Sequence, residues 1–414
     1  MAEVVAAQAD ADRLNAAGAA EARSQAVKAD AEVLKAALDS SKTTRGLAAR
    51  MDDLVTRLKR RRFKSSSSLV KETLDLLQLL VNAKNWSGAR EMLQAVRAFG
   101  RRLVRARPVE LVVGNVFRHV IHMVKEEYFI MLQSTQDKAL SEAAVTGEVV
   151  NELDPKGDIL PNRDLGIRIE DMAEIPDWNV RSAAANVIAD TVAELENIME
   201  PISSQAPDHI HAHETILVYG DSGSVLGFLK AARRQREFRV IVAEAAPEFG
   251  GQRMARKLST ADPAHPGDLA ISTMVIPDSN IFAIMPRVTK VIVGARAVMA
   301  NGGLIAEAGM HMVALAARQH AVPLMCVTGL YKLCPLYPYD RDSFIDLKSP
   351  GPTLPYAKLG EFSDRIQVLT PSCDYVPPGL VDVLITNNGA HQPSYVYRLL
   401  YEQYDTNAEE DLLL

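Results

Sequence analysis

Cysteine is scarce. The 414 residues hold three, Cys326, Cys334 and Cys373, and none stands in a C-x-x-C pair. That usage points to neither a disulfide framework nor a structural zinc site, and no metal is expected. Long apolar runs are missing too: none reaches the roughly 18 residues that cross a bilayer. The opening stretch, "MAEVVAAQADADRLNAAG", lacks the basic segment and apolar core of a secretory signal. A cytoplasmic location is therefore expected. Positive charge is not in excess, since 46 Lys and Arg face 52 Asp and Glu for a formal charge of −6. That balance argues against a general nucleic-acid binder. A G-x-G-x-x-G fingerprint is also absent, which weakens the case for a nicotinamide cofactor. No cofactor is expected.

What is present suits a soluble chain of more than one domain, 48% apolar and 24% charged. Residues 1–44 are rich in Ala, Asp, Glu and Lys and poor in large apolar side chains, and read as a mobile extension. From 45 to 205 the period is helical. Val70, Leu74, Leu77 and Val81 fall on one helix face, with Ser68 as the expected cap. Met92, Val96, Phe99 and Leu103 form a second stripe, ended by Pro108. "VELVVGNVFRHVIHMVKEEYFIM" predicts a third helix and "WNVRSAAANVIADTVAELENIMEPI" a long fourth. Between them a polar connector near 134–170, with Pro155, Gly157 and Pro161, reads as partly disordered.

Beyond 206 the period changes. "TILVYG", "FRVIVAEA", "STMVIP", "KVIVGA", "PLMCVT" and "IQVLTP" are nearly continuous apolar runs, as expected of strands buried on both faces of a parallel sheet. Helices are expected over 225–235, 251–258 and 304–319. The fold class is α/β: an N-terminal helical domain, then a Rossmann-like doubly wound parallel-sheet domain.

Such folds place their sites at the C-terminal ends of strands. The first such loop is Gly220-Asp221-Ser222-Gly223-Ser224, in "ILVYGDSGSVLGFLKAA". Strand, tight loop and helix is an anion-holding geometry, but Ser222 has no paired base nearby in sequence, and a turn with a helix cap is the favoured reading. Asp278 follows "MVIP". Arg296 and Asn301 lie in "VGARAVMANGG", and "VPPGLVD" reads as a helix start. His209 and His211, in "DHIHAHE", lack the further ligands a metal needs and read as an interface or surface feature. Arg90, Arg97, Arg101 and Arg105 share one helix face near the basic "RLKRRRFK", and are candidate partner contacts. The stretch 302–322, rich in small residues and Met, is either an assembly face or a helix buried in its own domain.

Taken in order, these segments resemble a known family: the sugar-phosphate aldose–ketose isomerases and the regulatory subunits of eukaryotic translation initiation factor 2B. "ILVYGDSGS" lies where the isomerases have a strand ending in Cys-Asn-Thr-Gly, and "VAEAAPEFGGQRMARKLS" matches their E-T-R-P segment. "MVIPDSN" matches a strand ending in Asp-Ser, "VGARAVMANGGLIAEAG" matches G-A-D-R-x-x-x-N-G-D-x-x-N-K-I-G, and "SCDYVPPGL" matches F-D-x-T-P-P. The resemblance implies that Gly220 stands at the isomerase thiol and Arg296 at its carboxylate. Ala246 stands at the Arg of E-T-R-P, Gly303 at the acid of N-G-D, and Ala306-Glu307 at N-K. With both proton-transfer groups gone, it implies no catalytic residues and a remnant pocket of Gly220–Ser224, Asp278, Arg296 and Asn301.

"VGNVFRHVIHMVKEEY" and the terminal "PSYVYRLLYEQY" resemble the beta branch of the regulatory subunits more than alpha or delta. That branch implies a non-catalytic scaffold in a two-fold symmetric decamer with alpha, gamma, delta and epsilon subunits. The complex reloads translation initiation factor 2 with GTP and senses phosphorylation of that factor's alpha subunit, and exchange activity resides in gamma and epsilon. The alternative is an active isomerase, of methylthioribose- or ribose-phosphate type, with displaced catalytic groups such as Cys326 or Cys334.

Overall fold

A computed structural model describes residues 24–37, 42–63, 65–83, 86–146, 169, 172, 179–261, 269–339, 344–360 and 365–404. The chain divides into two compact units, residues 1–192 with 404–414, and residues 193–403.

The first unit is helical. Its elements are α1 (24–37), α2 (Lys42–Lys59), α3 (Ser66–Asn82), α4 (Ala89–Ala106) and α5 (Leu111–Thr146); α6 (Val180–Asn197) runs through the division. The stripes expected from the sequence are the buried faces: Val70, Leu74, Leu77 and Val81 on α3, and Met92, Val96, Phe99 and Leu103 on α4. Phe99 meets Phe117 of α5 edge to face, with ring centroids 5.5 Å apart. The cap of α3 is Ser65, whose hydroxyl accepts from the Ser68 N–H at 3.2 Å, so Ser68 lies in the first turn.

Two expectations are corrected here. Residues 24–37 are a helix that buries Leu34, Ala37 and Asp30. Ion pairs from Asp30 to Arg101 and Arg105 add to the contact these side chains make. The expected connector also begins too early, since α5 continues to Thr146; residues 1–23 and 147–168 lie outside the described residues.

The second unit opens with short helices α7 (Met199–Ser204) and α8 (Ala206–His209). Its sheet contains β1 (Thr215–Tyr219), β2 (Arg239–Ala243), β3 (Ser272–Ile276), β4 (Lys290–Gly294), β7 (Leu324–Val327), β9 (Val383–Thr386) and β10 (Gly389–His391). The spatial order is β10-β9-β7-β4-β1-β2-β3, parallel throughout except for the edge strand β10. α9 (Gly223–Arg233) and α10 (Gly250–Ser259) follow β1 and β2, and the single turn α11 (Ile281–Ile284) comes after β3. Ile216 and Val218 pack with Phe228 and Met254 in the core.

The sequence pattern gives no hint of a second, antiparallel sheet of β5 (Ala297–Val298), β6 (Leu304–Glu307) and β8 (Cys373–Val376). Residues 304–307 are therefore strand, and the helix expected over 304–319 is only α12 (Met310–Gln319). Glycine with positive φ at 302 and 309 (81° and 98°) brackets the strand and stops a helix from running through. "IQVLTP" forms no strand beyond one bridge at Pro371. After "VPP" the chain makes one 3₁₀ turn, Pro378–Leu380, and enters β9 rather than a helix.

Candidate functional site

Chain order reverses at β1. β2 and β3 lie to one side, and β4 returns to the other. The C-terminal ends of β1 and β4 thus form the switch point where doubly wound folds bind ligands. Gly220–Ser224 leaves β1 here. Ser222 precedes α9 without a side-chain cap bond, and its Oγ fills the space a side chain on Gly294 would take.

The remaining predicted pocket residues serve the loops. Asp221 accepts from Lys257 Nζ at 2.7 Å and Arg253 Nε at 3.4 Å. Asp278 accepts from the N–H groups of Ala245 and Ala246 at 2.9 and 2.7 Å, fixing the β2–α10 loop. Asn301 accepts from the Gly303 N–H at 2.9 Å and donates to the Tyr375 hydroxyl at 2.7 Å. The N–H of Arg296 bonds to the Ile305 carbonyl at 2.8 Å in the β5–β6 hairpin.

A residue outside that predicted set sits at the centre. Glu307, the last residue of β6, carries its carboxylate across to the end of β1. A side chain on Gly220, whose φ is +77°, would overlap Glu307 Oε2. The other oxygen, Oε1, lies 3.1 Å from where a Cβ on Gly250 would stand, at the first turn of α10. Burial raises the Glu307 pKa; Arg296, Lys348 and the Asp221 N–H, which donates to it, oppose that rise, and Glu248 adds to it. In the sequence Glu307 stands out only as a departure from a motif. Its role depends on β6 being a strand of the second sheet, for which periodicity gives no signal.

Tyr219 and Asp374 complete the strand end. The Tyr219 hydroxyl donates to the Ala308 carbonyl at 2.8 Å, and its pKa is raised by burial and then by Asp278, Glu307 and Asp374. Asp374 accepts from the Gly309 N–H at 2.7 Å, at the start of α12. The carboxylates of Asp278, Glu307 and Asp374 gather around Tyr219, and Asp278 and Asp374 are spent holding backbone. Cys326 is fully buried in β7, and burial pushes its thiol up to about 12. Such a thiol is a poor proton donor or nucleophile at neutral pH.

His209 and His211 lie before β1, at the opposite end of the strand from Gly220. Burial lowers the His209 pKa, and its ring lies 6.4 Å from that of Phe228. His211 Nδ1 is 2.7 Å from a guanidinium nitrogen of Arg236. Among the described residues, no group of three or more His, Cys, Asp or Glu could hold a metal, and no helix is long and apolar enough to cross a membrane.

In the helical unit the arginine stripe divides. Arg90 is exposed. Arg101 and Arg105 reach Asp30 of α1 at 3.5 and 2.7 Å, with side chains 19% exposed. They form an intramolecular clasp, which the spacing that marks them as candidate partner contacts does not reveal. The Arg101 pKa is lowered by burial and by Arg97, against the pull of Asp30.

These features define the class: a helical unit joined to a doubly wound α/β unit whose strand-end site is filled from within. Comparison with known proteins places it further. Residues 62–393 match the model of the initiation factor 2 subunit family, and the chain belongs to that family. It is 36% identical over 379 residues to translation initiation factor eIF2B subunit beta of Dictyostelium discoideum, covering 86% of this chain and 95% of that protein. It also resembles the crystal structure of eIF2B beta from Chaetomium thermophilum, with a TM-score of 0.65, 27% identity, and 93% of this chain and 98% of the other covered. A chain of the tetrameric beta2-delta2 complex from the same organism is similar at TM-score 0.61 and 26% identity, with 90% and 99% covered. A more distant relative is ribose 1,5-bisphosphate isomerase of Pyrococcus furiosus, 26% identical over 227 residues, which are 55% of this chain and 68% of that enzyme.

Proposed function

We propose that this chain is the beta-type regulatory subunit of the guanine nucleotide exchange factor that reloads translation initiation factor 2 with GTP. The observation that carries the reading is similarity along almost the whole chain to proteins named as eIF2B beta. It scaffolds the complex with alpha, delta, gamma and epsilon subunits and helps to sense phosphorylation of the substrate's alpha subunit, while exchange itself resides in partner subunits. Similarity to a chain of the beta2-delta2 tetramer supports a delta-type partner. Apolar side chains left exposed on the second unit, Phe282, Met312 and Leu315, are suited to a partner surface. The opposite face of α12 packs Met310, Val313 and Ala317 into its own unit.

The proposed chemistry is none. On the motif match, Gly220 and Arg296 stand at the isomerase thiol and carboxylate, and Glu307 fills the space above Gly220. A buried Cys326 does not supply the missing thiol. Two measurements test the reading. Tagged chain recovered from its own cell extract should bring down the other four subunits, identified by mass. Purified chain should not isomerise methylthioribose or ribose phosphates above background. Recovery without those subunits, or clear turnover, would overturn it.

A further inference from the structure

Between α2 and α3 a run of positive charge leads straight into a run of serine, "RLKRRRFKSSSS", residues 57–68. The segment is open. α2 ends at Lys59 and α3 begins at Ser66, so residues 60–63 and Ser65 lie outside both helices. Lys59, Arg60, Arg61, Arg62 and Ser65 are exposed. Arg57, near the end of α2, is committed: it pairs with Asp53 at 2.8 Å and with Glu72, and lies over the Phe63 ring. No ion pair joins Lys59, Arg60 or Arg62 to another described residue. On a chain of net charge −6, such cations are available to something outside it. The Ser65 hydroxyl is loosely held as well. It accepts from the Ser68 N–H at 3.2 Å and lies 3.1 and 3.2 Å from the hydroxyls of Ser68 and Ser67, all at the surface. None of Ser66, Ser67 and Ser68 is buried, and the core face of α3 starts at Leu69. The first turn can therefore open without uncovering the core.

We propose that Ser65 is a phosphorylation site for an arginine-directed protein kinase, with Arg60 and Arg62 as its recognition determinants. Kinases choose substrates in large part by charge pattern, and a guanidinium grips the carboxylates of an acidic groove with two parallel hydrogen bonds. The register selects one serine. Ser65 has arginine both three and five residues upstream, whereas Ser66 has Phe63 at three, Ser67 has Lys64 at three and Ser68 has Phe63 at five. In the transfer, Ser65 Oγ attacks the γ-phosphorus of ATP, which the kinase holds with magnesium. The Oγ–P bond forms as the bond from that phosphorus to the bridging oxygen breaks, ADP leaves, and the hydroxyl proton passes to a base of the kinase. The product carries about −1.5 to −2 charges, which offsets much of the positive charge of residues 59–62. The modification thus turns a basic surface of the helical unit towards neutrality, a switch that goes beyond the scaffold role.

The test uses the full-length chain with MgATP, protein kinase B as the arginine-directed probe, and an acid-directed casein kinase as its counterpart. Trypsin releases residues 65–71, "SSSSLVK", and fragmentation of that peptide locates the phosphate. Protein kinase B should place phosphate on Ser65, and the casein kinase should be at least about tenfold slower. Ser65→Asn keeps a capping oxygen, so α3 still starts where it does, but it should accept no phosphate there. Arg60→Gln combined with Arg62→Gln leaves the serine in place and should lower transfer at least about tenfold. The same peptide from chain isolated from its own cells, with phosphatases inhibited, should carry phosphate on Ser65. Phosphate spread evenly over residues 65–68, transfer that ignores the arginine pair, or a cell-derived peptide without phosphate on Ser65 would overturn the proposal. None of these results bears on which subunits the chain joins, so this test and that of the proposed function can fail separately.

Discussion

Asp30 and Arg105, seventy-five positions apart, are joined at 2.7 Å, and this contact holds the first described helix against α4. Asp30 is 9% exposed, so little water is available to replace its partners. Asp30→Ala should destabilise the helical unit by about 1–3 kcal/mol, below the full figure for a buried pair because the arginines are partly solvated. Urea unfolding, followed by helical circular dichroism, measures this. Deleting residues 1–40 removes the clasp and Leu34 together and should destabilise the unit further.

Charge reversal along α4 should be uneven. Arg101→Glu sets a second carboxylate against Asp30 and should cost about 2–4 kcal/mol. Arg90→Glu, on an exposed side chain, should stay within about 0.5 kcal/mol of wild type. Arg90 is therefore the milder of the two as a probe of partner binding. Thermal unfolding of both variants, beside a partner pull-down, separates a folding defect from a lost contact.

Glu307 should leave a signature in the pH dependence of stability. Burial raises its pKa in the folded chain, with Arg296 and Lys348 opposing and Glu248 reinforcing the shift. The folded state therefore holds this proton more tightly than the unfolded state does. Stability from this group is fully present below the ordinary glutamate range and is lost as pH rises through the folded value. Glu307→Gln removes that slope. The difference between the urea midpoints of variant and wild type should change across this window and be constant above it.

Tyr219→Phe should cost about 0.5–1.5 kcal/mol, because the part-buried Ala308 carbonyl loses its 2.8 Å donor. A variant as stable as wild type in urea would mean that another group satisfies this carbonyl.

Much of the fold is legible in the sequence because its signals are local. The stripes on α3 and α4 and the strands β1, β2, β3, β4 and β7 each declare themselves within a few residues. The second sheet does not. β5 has two residues and β6 four, and Leu304 and Ile305 read equally well as the start of the helix that follows. What makes β6 a strand is its register with β8, where Glu307 lies opposite Cys373, sixty-six positions away. The candidate site is half legible for the same reason. Gly220 to Ser224 advertise a loop, but the carboxylate that fills it arrives from a strand that only tertiary pairing creates. The Asp30 clasp is invisible because one acid in an alanine-rich stretch has no distinctive pattern.

The strand order also bears on how the chain emerges from a ribosome. β1 is the first strand of the large sheet to be made, yet it ends near the middle, with β2 and β3 on one side and β4, β7 and β9 on the other. The sheet therefore grows outward from its oldest strand. A chain stalled between β4 and β7 would carry Val291, Ile292 and Val293, all fully buried in the finished protein, on an open apolar edge. Such an edge is a template for pairing with other chains. Nascent fragments that end before β9 should accordingly be prone to aggregate and dependent on chaperones. β7 covers the edge of β4 but offers its own, where Cys326 and Val327 are fully buried in the finished protein, until β9 pairs with it and the antiparallel β10 closes that side of the sheet.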